Sequence, residues 1–459
     1  MATLPVRLDR ASAAPLPAQL AAQVRALIVK GALTRGDRLP STRALAADLG
    51  VSRTVTEQSY EQLLAEGWLT ARRGAGTFVA SGGLSTKAMP PDVPQASPER
   101  PLISLDTGTP WIDPRQSAGW RRAWREVSAA APPRGYADPR GLPELREALA
   151  ERLGRTRGLR VDPDEIVMTA GTGDGLRQLL RVLRPGPIGV EDPGYRAAVW
   201  TIEDAGRTVV DLPAVEPITS LAGLAGAYVT PAHQHPLGRV MPAADRLALL
   251  AAARTADAIV IEDDYDSEFR YDVAPVPALA SLDRERVAYV GTAAKAVAPS
   301  LRLGWLIVPP GLLGKLNERR MVTHDGPSWP AQRALLTLLR DGWVDKIVRA
   351  ARRTYAERAP RVAAALSPYA ELAGPLAGMY STWLLPQDRA VTARDAALAA
   401  GFRVNLLSTY ARGSGLTGLV VGFGGVTDEE LETALAVLTR ALADGAPGRP
   451  GPVLPVPPG

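Results

Sequence analysis

The chain has 459 residues, 46% of them hydrophobic, with no cysteine, three histidines and a formal charge of +5. That length suits about three domains with a sizeable core, and the missing thiols exclude disulfides, thiolate catalysis and cysteine-bound zinc or iron–sulfur centres. His233 and His235 lie two residues apart with no carboxylate cluster beside them, so no metal site is expected. No leader pattern opens the chain and no apolar run reaches membrane-spanning length, which makes the cytoplasm the expected location. The first 80 residues carry ten Lys and Arg against six Asp and Glu, and a basic module of that kind points to a polyanionic partner.

Residues 17–30 space Leu20, Val24, Leu27 and Ile28 on one helical face, and Gly31 ends the helix. Ser41 is a capping residue for a second helix over 42–49, which Gly50 closes. Ser52 is expected to cap a third helix over 53–66, with Arg53, Thr54 and Thr56 outward and Val55, Ser59 and Leu63 inward. Trp68 to Arg72 and Thr77 to Val79 read as two short strands joined by the basic turn Arg73-Gly74-Ala75-Gly76. Short capped helices followed by a basic hairpin read as a winged helix-turn-helix that fits DNA, since the third helix can enter the major groove while the wing meets phosphates, although a small helical protein-interaction module with a solvated charged face has the same pattern.

Residues 81–101 contain two glycines and five prolines without hydrophobic periodicity and read as a semi-rigid linker. From 102 to 441 strand-like runs (Ile166–Thr169, Ile188–Val190, Ala227–Val229, Ile259–Ile261, Val287–Val290) alternate with helices, one after Gly175 and one near Arg246–Arg254. This predicts an α/β fold with a mainly parallel sheet, whose ligands collect beyond the carboxyl ends of the strands. The tail 445–459, rich in Gly and Pro, is expected to be disordered.

Of 53 basic side chains only Lys30, Lys87, Lys295, Lys315 and Lys346 are lysines. Lys295 follows a buried strand among small residues, where an amine can shed its proton and form a Schiff base with an aldehyde, which a guanidinium cannot. That chemistry points to pyridoxal phosphate, although a lysine that merely snorkels from a strand end has the same pattern. Gly171-Thr172-Gly173-Asp174-Gly175 joins a strand to a helix and can cradle a phosphate, although a plain glycine turn has the same pattern. Tyr195 offers a face for a flat ring, or a core aromatic. The turn from Thr230 to Gly238, with His235, supplies polar groups after another strand. Asp263 lies at the mouth of a buried strand, where its charge needs a partner; a pyridinium would serve and would make the ring an electron sink. Arg302 can fork onto the phosphate.

Three resemblances follow from these motifs. Leu-Pro-Ser-Thr-Arg-Ala-Leu-Ala-Ala-Asp-Leu-Gly-Val-Ser-Arg at 39–53, with Glu-Gly-Trp-Leu and Gly-Ala-Gly-Thr-Phe-Val after it, resembles the GntR family of winged helix-turn-helix regulators. That resemblance implies DNA contacts at Arg43, Ser52, Arg53, Thr54, Arg73 and Gly74, with Glu57 standing where some relatives carry a basic residue. The motifs between 102 and 441 occur in the order of the fold-type I aminotransferases. By that resemblance Lys295 is the Schiff-base lysine, Asp263 pairs with the pyridine nitrogen, Tyr265 and His235 lie near the ring hydroxyl and Tyr195 stacks on the ring. Gly171, Thr172, Gly173, Thr292 and Arg302 hold the phosphate. The fusion, with Glu-Asp-Asp-Tyr-Asp-Ser-Glu-Phe at 262–269 and Thr-Pro-Ala-His-Gln-His-Pro-Leu-Gly at 230–238, resembles the MocR/GabR family of transcriptional regulators.

The expected architecture is therefore a winged helix-turn-helix over 10–80, the linker and an aminotransferase-like domain over 102–441. The family implies a head-to-tail homodimer on a double-stranded operator with two half-sites, sensing pyridoxal phosphate or its aldimine with an amine. It connects such proteins with vitamin B6 or amine metabolism. Val420 stands where aminotransferases place the arginine that grips a substrate carboxylate, which leaves Arg412 as the remaining candidate and implies little or no transaminase turnover. The rival expectation is a working aminotransferase with an attached DNA reader.

Overall fold

The computed structural model describes residues 4–72, 76–80, 102–113, 117–272 and 276–444. Two compact units divide it, one up to Glu99 and one from Arg100 onward. Arg73, Gly74, the expected linker and the expected tail lie outside the described residues.

The first unit contains α1 (Leu16–Val29), α2 (Thr42–Leu49), α3 (Arg53–Ala65), β1 (Leu69–Arg72) and β2 (Gly76–Val79). Ser41 caps α2 by accepting from the Ala44 N–H at 3.2 Å, and Gly50 turns the chain out of it at φ 62°, a conformation that suits glycine. Leu20, Val24, Ile28, Leu45, Tyr60 and Leu63 form one core with Leu4 and Val6 of the leading segment. The spacing of Leu20, Val24 and Ile28 is that of one helical face, and burying it holds α1 against α3. β1 and β2 pair antiparallel with Leu69 opposite Val79.

Two expectations fail in α3. Thr56 is buried, because its hydroxyl donates back to the Arg53 carbonyl and across to the Thr42 carbonyl, each at 2.9 Å. Ser52 occupies the N-cap position without a side-chain cap bond.

In the second unit, β3 (Ile103–Leu105), α4 (Ser117–Ala129) and α5 (Pro143–Arg157) precede the main sheet. Next come β4 (Ile166–Thr169), α6 (Thr172–Leu180), β5 (Ile188–Asp192), α7 (Arg196–Asp204), β6 (Val209–Pro213), β7 (Gly226–Val229), α8 (Ala243–Ala256), β8 (Ile259–Asp264), β9 (Val287–Thr292) and β10 (Gly304–Ile307). After α9 (Pro310–Thr323), α10 (Trp329–Arg340) and α11 (Trp343–Leu366), a smaller layer holds β11 (Glu371–Leu372), β12 (Tyr380–Leu384), α12 (Gln387–Ala399), β13 (Phe402–Leu406), β14 (Gly418–Gly422) and α13 (Asp428–Asp444).

The large sheet runs β4-β10-β9-β8-β7-β5-β6. β6, β5, β7, β8 and β9 are parallel, whereas β10 is antiparallel to both β9 and β4. β5, β7 and β9, inner strands of this sheet, are buried along their whole length, which explains their unbroken apolar runs. β10 returns directly after the lysine loop, so Arg302, just before it, lies at the same sheet edge as the ends of β4, β8 and β9. The smaller sheet, β11-β12-β14-β13-β3, recruits β3 parallel to β13.

Candidate cofactor site and nucleic-acid interface

Strand ends converge on one cavity of about 210 Å³. Gly171, Thr172, Gly173, Tyr195, His235, Asp263, Tyr265, Thr292, Lys295 and Arg302 all line it, together with Thr107, Gly108, Thr230, Ala294, Pro299 and Leu303. Thr107 and Gly108 escaped sequence reasoning. Their signal is an acid followed by small residues: Asp106 accepts from the N–H groups of Gly108 and Thr109, both at 2.7 Å, and folds that loop into the cavity wall.

At the cavity wall α6 begins at Thr172, ahead of the helix expected only after Gly175, because Gly171 takes φ 101° and turns the strand directly into the helix. Asp174 and Gly175 donate to the Gly171 carbonyl at 3.1 and 3.0 Å. The Thr172 and Gly173 N–H groups are left at the head of the helix, where its dipole favours an anion. The Arg302 guanidinium approaches within 3.7 Å of where a Gly171 side chain would begin. Arg302, itself in the left-handed region at φ 52°, has no carboxylate partner among the described residues.

Elsewhere in the cavity wall, the acidic strand β8 sorts its carboxylates by face. Glu262 accepts from the Leu279 and Ala280 N–H groups at 2.7 and 2.8 Å, and Asp264 pairs with Arg157 and Tyr289. Asp263 faces the opposite way, toward the cavity, where Tyr228 donates to its Oδ2 and its buried Oδ1 has no partner among the described residues. Burial pushes its proton affinity up to about 7, even though the Tyr228 hydrogen bond opposes this. Lys295 donates to the Gly108 carbonyl. Burial pulls its amine below the ordinary lysine value against the attraction of Asp266, Asp106 and Asp263.

Three rings line the same cavity, those of Tyr195, His235 and Tyr265. Tyr195 stacks at 6.5 Å from Tyr228 and meets His235 edge-on at 5.5 Å. Burial, with positive charge at Lys295 nearby, pushes His235 down to about 3, so it is a neutral imidazole at physiological pH. Tyr265 is held from behind by the Tyr380 hydroxyl at 2.7 Å and the His233 carbonyl at 3.0 Å. His233 in turn holds Asp266 at 2.7 Å.

In the first unit, Arg43, Ser52, Arg53 and Thr54 are all exposed, on α2 and at the start of α3. Arg53 pairs with Glu57 one turn later at 2.7 Å. On the hairpin, Arg72 lies over the Phe78 ring at 5.0 Å.

Residues 100–438 match the family "Aminotransferase class I and II", and residues 16–79 match "Bacterial regulatory proteins, gntR family". The chain is 35% identical to the HTH-type pyridoxine biosynthesis transcriptional regulator PdxR of Corynebacterium glutamicum, across 97% of this chain and 100% of that one. It is 37% identical to the probable rhizopine catabolism regulatory protein MocR of Rhizobium meliloti, across 76% and 77%. The chain belongs to the MocR-type transcriptional regulators. The MocR-type second unit has the aminotransferase fold: an archaeal alanine:glyoxylate aminotransferase superposes with TM-score 0.67 at 26% identity, covering 75% of this chain and 91% of that one. Pyridoxal phosphate is the cofactor that goes with this family and fold.

One residue of this MocR-type chain departs from expectation. Arg412 is not part of the cavity wall. Its Nε donates to Asp211 at 2.6 Å and its Nη2 to the Val190 and Glu191 carbonyls at 3.0 and 3.1 Å, so it braces the ends of β5 and β6. Asp192, which had no assigned role, fixes the same loop by accepting from the N–H groups of Arg412, Gly413 and Ser414. Val420 is fully buried in β14.

Proposed function

We propose that this chain is a cytoplasmic transcriptional regulator that reads DNA through α3 and the hairpin and responds to pyridoxal phosphate, or to an amine condensed with it, held at Lys295. The observation that carries this reading is the unmet bonding capacity around one cavity. Among the described residues Asp263 Oδ1 lacks a donor and the Arg302 guanidinium lacks an anion, and the same cavity wall holds a lysine amine weakened as a base by burial. A phosphorylated pyridine aldehyde would meet all three needs.

In that arrangement Arg302 and the N–H groups of Thr172 and Gly173, with Thr292, hold the phosphate. Asp263 holds the ring nitrogen, Tyr195 covers a ring face, and Tyr265 and neutral His235 meet the ring hydroxyl. When bound, the group supplies an aldehyde for amines and an electron-accepting ring. Lys295 supplies the protein's own amine. Among the described cavity residues Lys295 and Arg302 are the only Lys or Arg side chains, so no cation remains to orient a substrate carboxylate, and transamination is slow or absent. The likeness to a pyridoxine biosynthesis regulator favours vitamin B6 genes as targets.

Two copies paired head to tail would present two DNA-reading units to an operator with two half-sites. Arg43, Ser52, Arg53, Thr54, Arg73 and Gly74 supply the contacts. The reading is tested by borohydride reduction of the cofactor-loaded protein followed by peptide mapping, and by binding to duplexes with two half-sites or one. Label on Lys295 and much tighter binding to the double site support it; label on another lysine, or equal binding, overturns it.

A further inference from the structure

The exposed side of α3 presents an acid where a polyanion is expected. Arg53 and Glu57 lie one helical turn apart on the solvent side, their side chains 63% and 40% exposed, joined by an Nε to Oε1 ion pair of 2.7 Å. The inner side of the helix is fixed independently. Thr56 bonds back to the Thr42 and Arg53 carbonyls, Ser59 donates to the Pro17 carbonyl at 2.9 Å, and Tyr60 donates to the Pro40 carbonyl at 2.9 Å. The helix cannot roll to turn Glu57 away without breaking these bonds.

A carboxylate approaching DNA meets phosphate repulsion, and it can only accept hydrogen bonds. Major-groove base edges offer it two donors, the amino groups of cytosine and adenine. Adenine sets an acceptor, N7, beside its amino group, which repels a carboxylate; cytosine sets none there. Arg53 has the complementary problem solved for it. With Nε engaged by Glu57, its two terminal nitrogens remain as an end-on fork of the kind that matches O6 and N7 of guanine.

We propose that Arg53 and Glu57 act as one coupled reader, Arg53 on a guanine and Glu57 on a cytosine of a neighbouring base pair, so that Glu57 is a specificity-determining residue of this chain. This rests on the proposed use of α3 as the DNA-reading helix. Substituting glutamine makes the inference sharp, because an amide can both accept and donate and so matches N6 and N7 of adenine.

The test is selection of bound duplexes from a randomised pool by the full-length protein, its Glu57→Gln and Glu57→Ala variants, and Arg53→Ala. The wild type should enrich a guanine with a cytosine beside it. Glu57→Gln should exchange that cytosine for adenine by about tenfold in relative affinity, Glu57→Ala should lose the preference at that position alone, and Arg53→Ala should lose the guanine. Enrichment of a motif by the wild type that Glu57→Gln and Glu57→Ala leave unchanged overturns the coupled reader while leaving the helix as the reading element. A motif that none of the four proteins alters removes α3 itself from base reading.

Discussion

Tyr228 donates its hydroxyl to Oδ2 of Asp263 and thereby leaves Oδ1 of the same carboxylate as the bare acceptor at the cavity. The two meet because β7 and β8 are parallel neighbours with Tyr228 beside Ile261. Asp263→Ala should weaken retention of pyridoxal phosphate by about 2 kcal/mol, the scale of a hydrogen bond to a charged group, and Tyr228→Phe by about 1 kcal/mol. Equilibrium dialysis checks both, and an Asp263→Ala protein that keeps its cofactor as tightly as the wild type would contradict the assignment.

Arg302 gives a prediction that separates phosphate from ring. Arg302→Ala should lower affinity for pyridoxal phosphate by about 2 kcal/mol and leave affinity for unphosphorylated pyridoxal nearly unchanged. Equal losses for both ligands would mean that Arg302 does not touch the phosphate.

Burial pushes Glu191, Glu262 and Asp263 each up to about 7. Between the ordinary carboxylate range and that value the folded chain keeps protons that the unfolded chain has released, so these groups make stability fall as pH rises through the window. His235, pushed down to about 3, acts oppositely: below its ordinary value the unfolded imidazole takes up a proton that the folded one refuses. Three carboxyls outweigh one imidazole. The cofactor-free protein should therefore melt at a lower temperature at about pH 8 than at about pH 5.5, and Asp263→Asn should reduce the difference. Calorimetry that finds a melting temperature rising with pH would contradict this.

Much of the site was legible because catalytic-type residues at strand ends leave local signatures: a glycine turn after Met168-Thr169, an acid after Ile259-Val260-Ile261, a lysine after Tyr289-Val290. What stayed hidden depends on contacts between distant segments. Tyr228 reads as core within Ala227-Tyr228-Val229, and only strand register brings its hydroxyl to Asp263. Asp192 reads as part of a turn, yet its partners lie over 200 residues away in sequence. Thr56 was misplaced because a threonine that bonds back to its own helix can be buried in the position of an outward polar residue.

Arg412, committed to Asp211 and two carbonyls, is a brace. Arg412→Ala should cost about 1 kcal/mol of stability, by removing its hydrogen bonds to the Val190 and Glu191 carbonyls and to Asp211, with no selective loss of affinity for amines that carry a carboxylate. Urea denaturation and amine titrations followed by absorbance separate the two effects. Rapid multiple turnovers with a keto-acid acceptor would instead favour a working aminotransferase.

For occupancy at Lys295 to be communicated to DNA binding, the loaded protein must favour one arrangement of its DNA-reading units over another. The most direct measurement is the operator affinity of wild type and Lys295→Ala, each with and without pyridoxal phosphate. The wild type should change affinity when the cofactor is added while Lys295→Ala should change little; equal affinity in all four conditions would mean that the site does not communicate with the DNA-reading units.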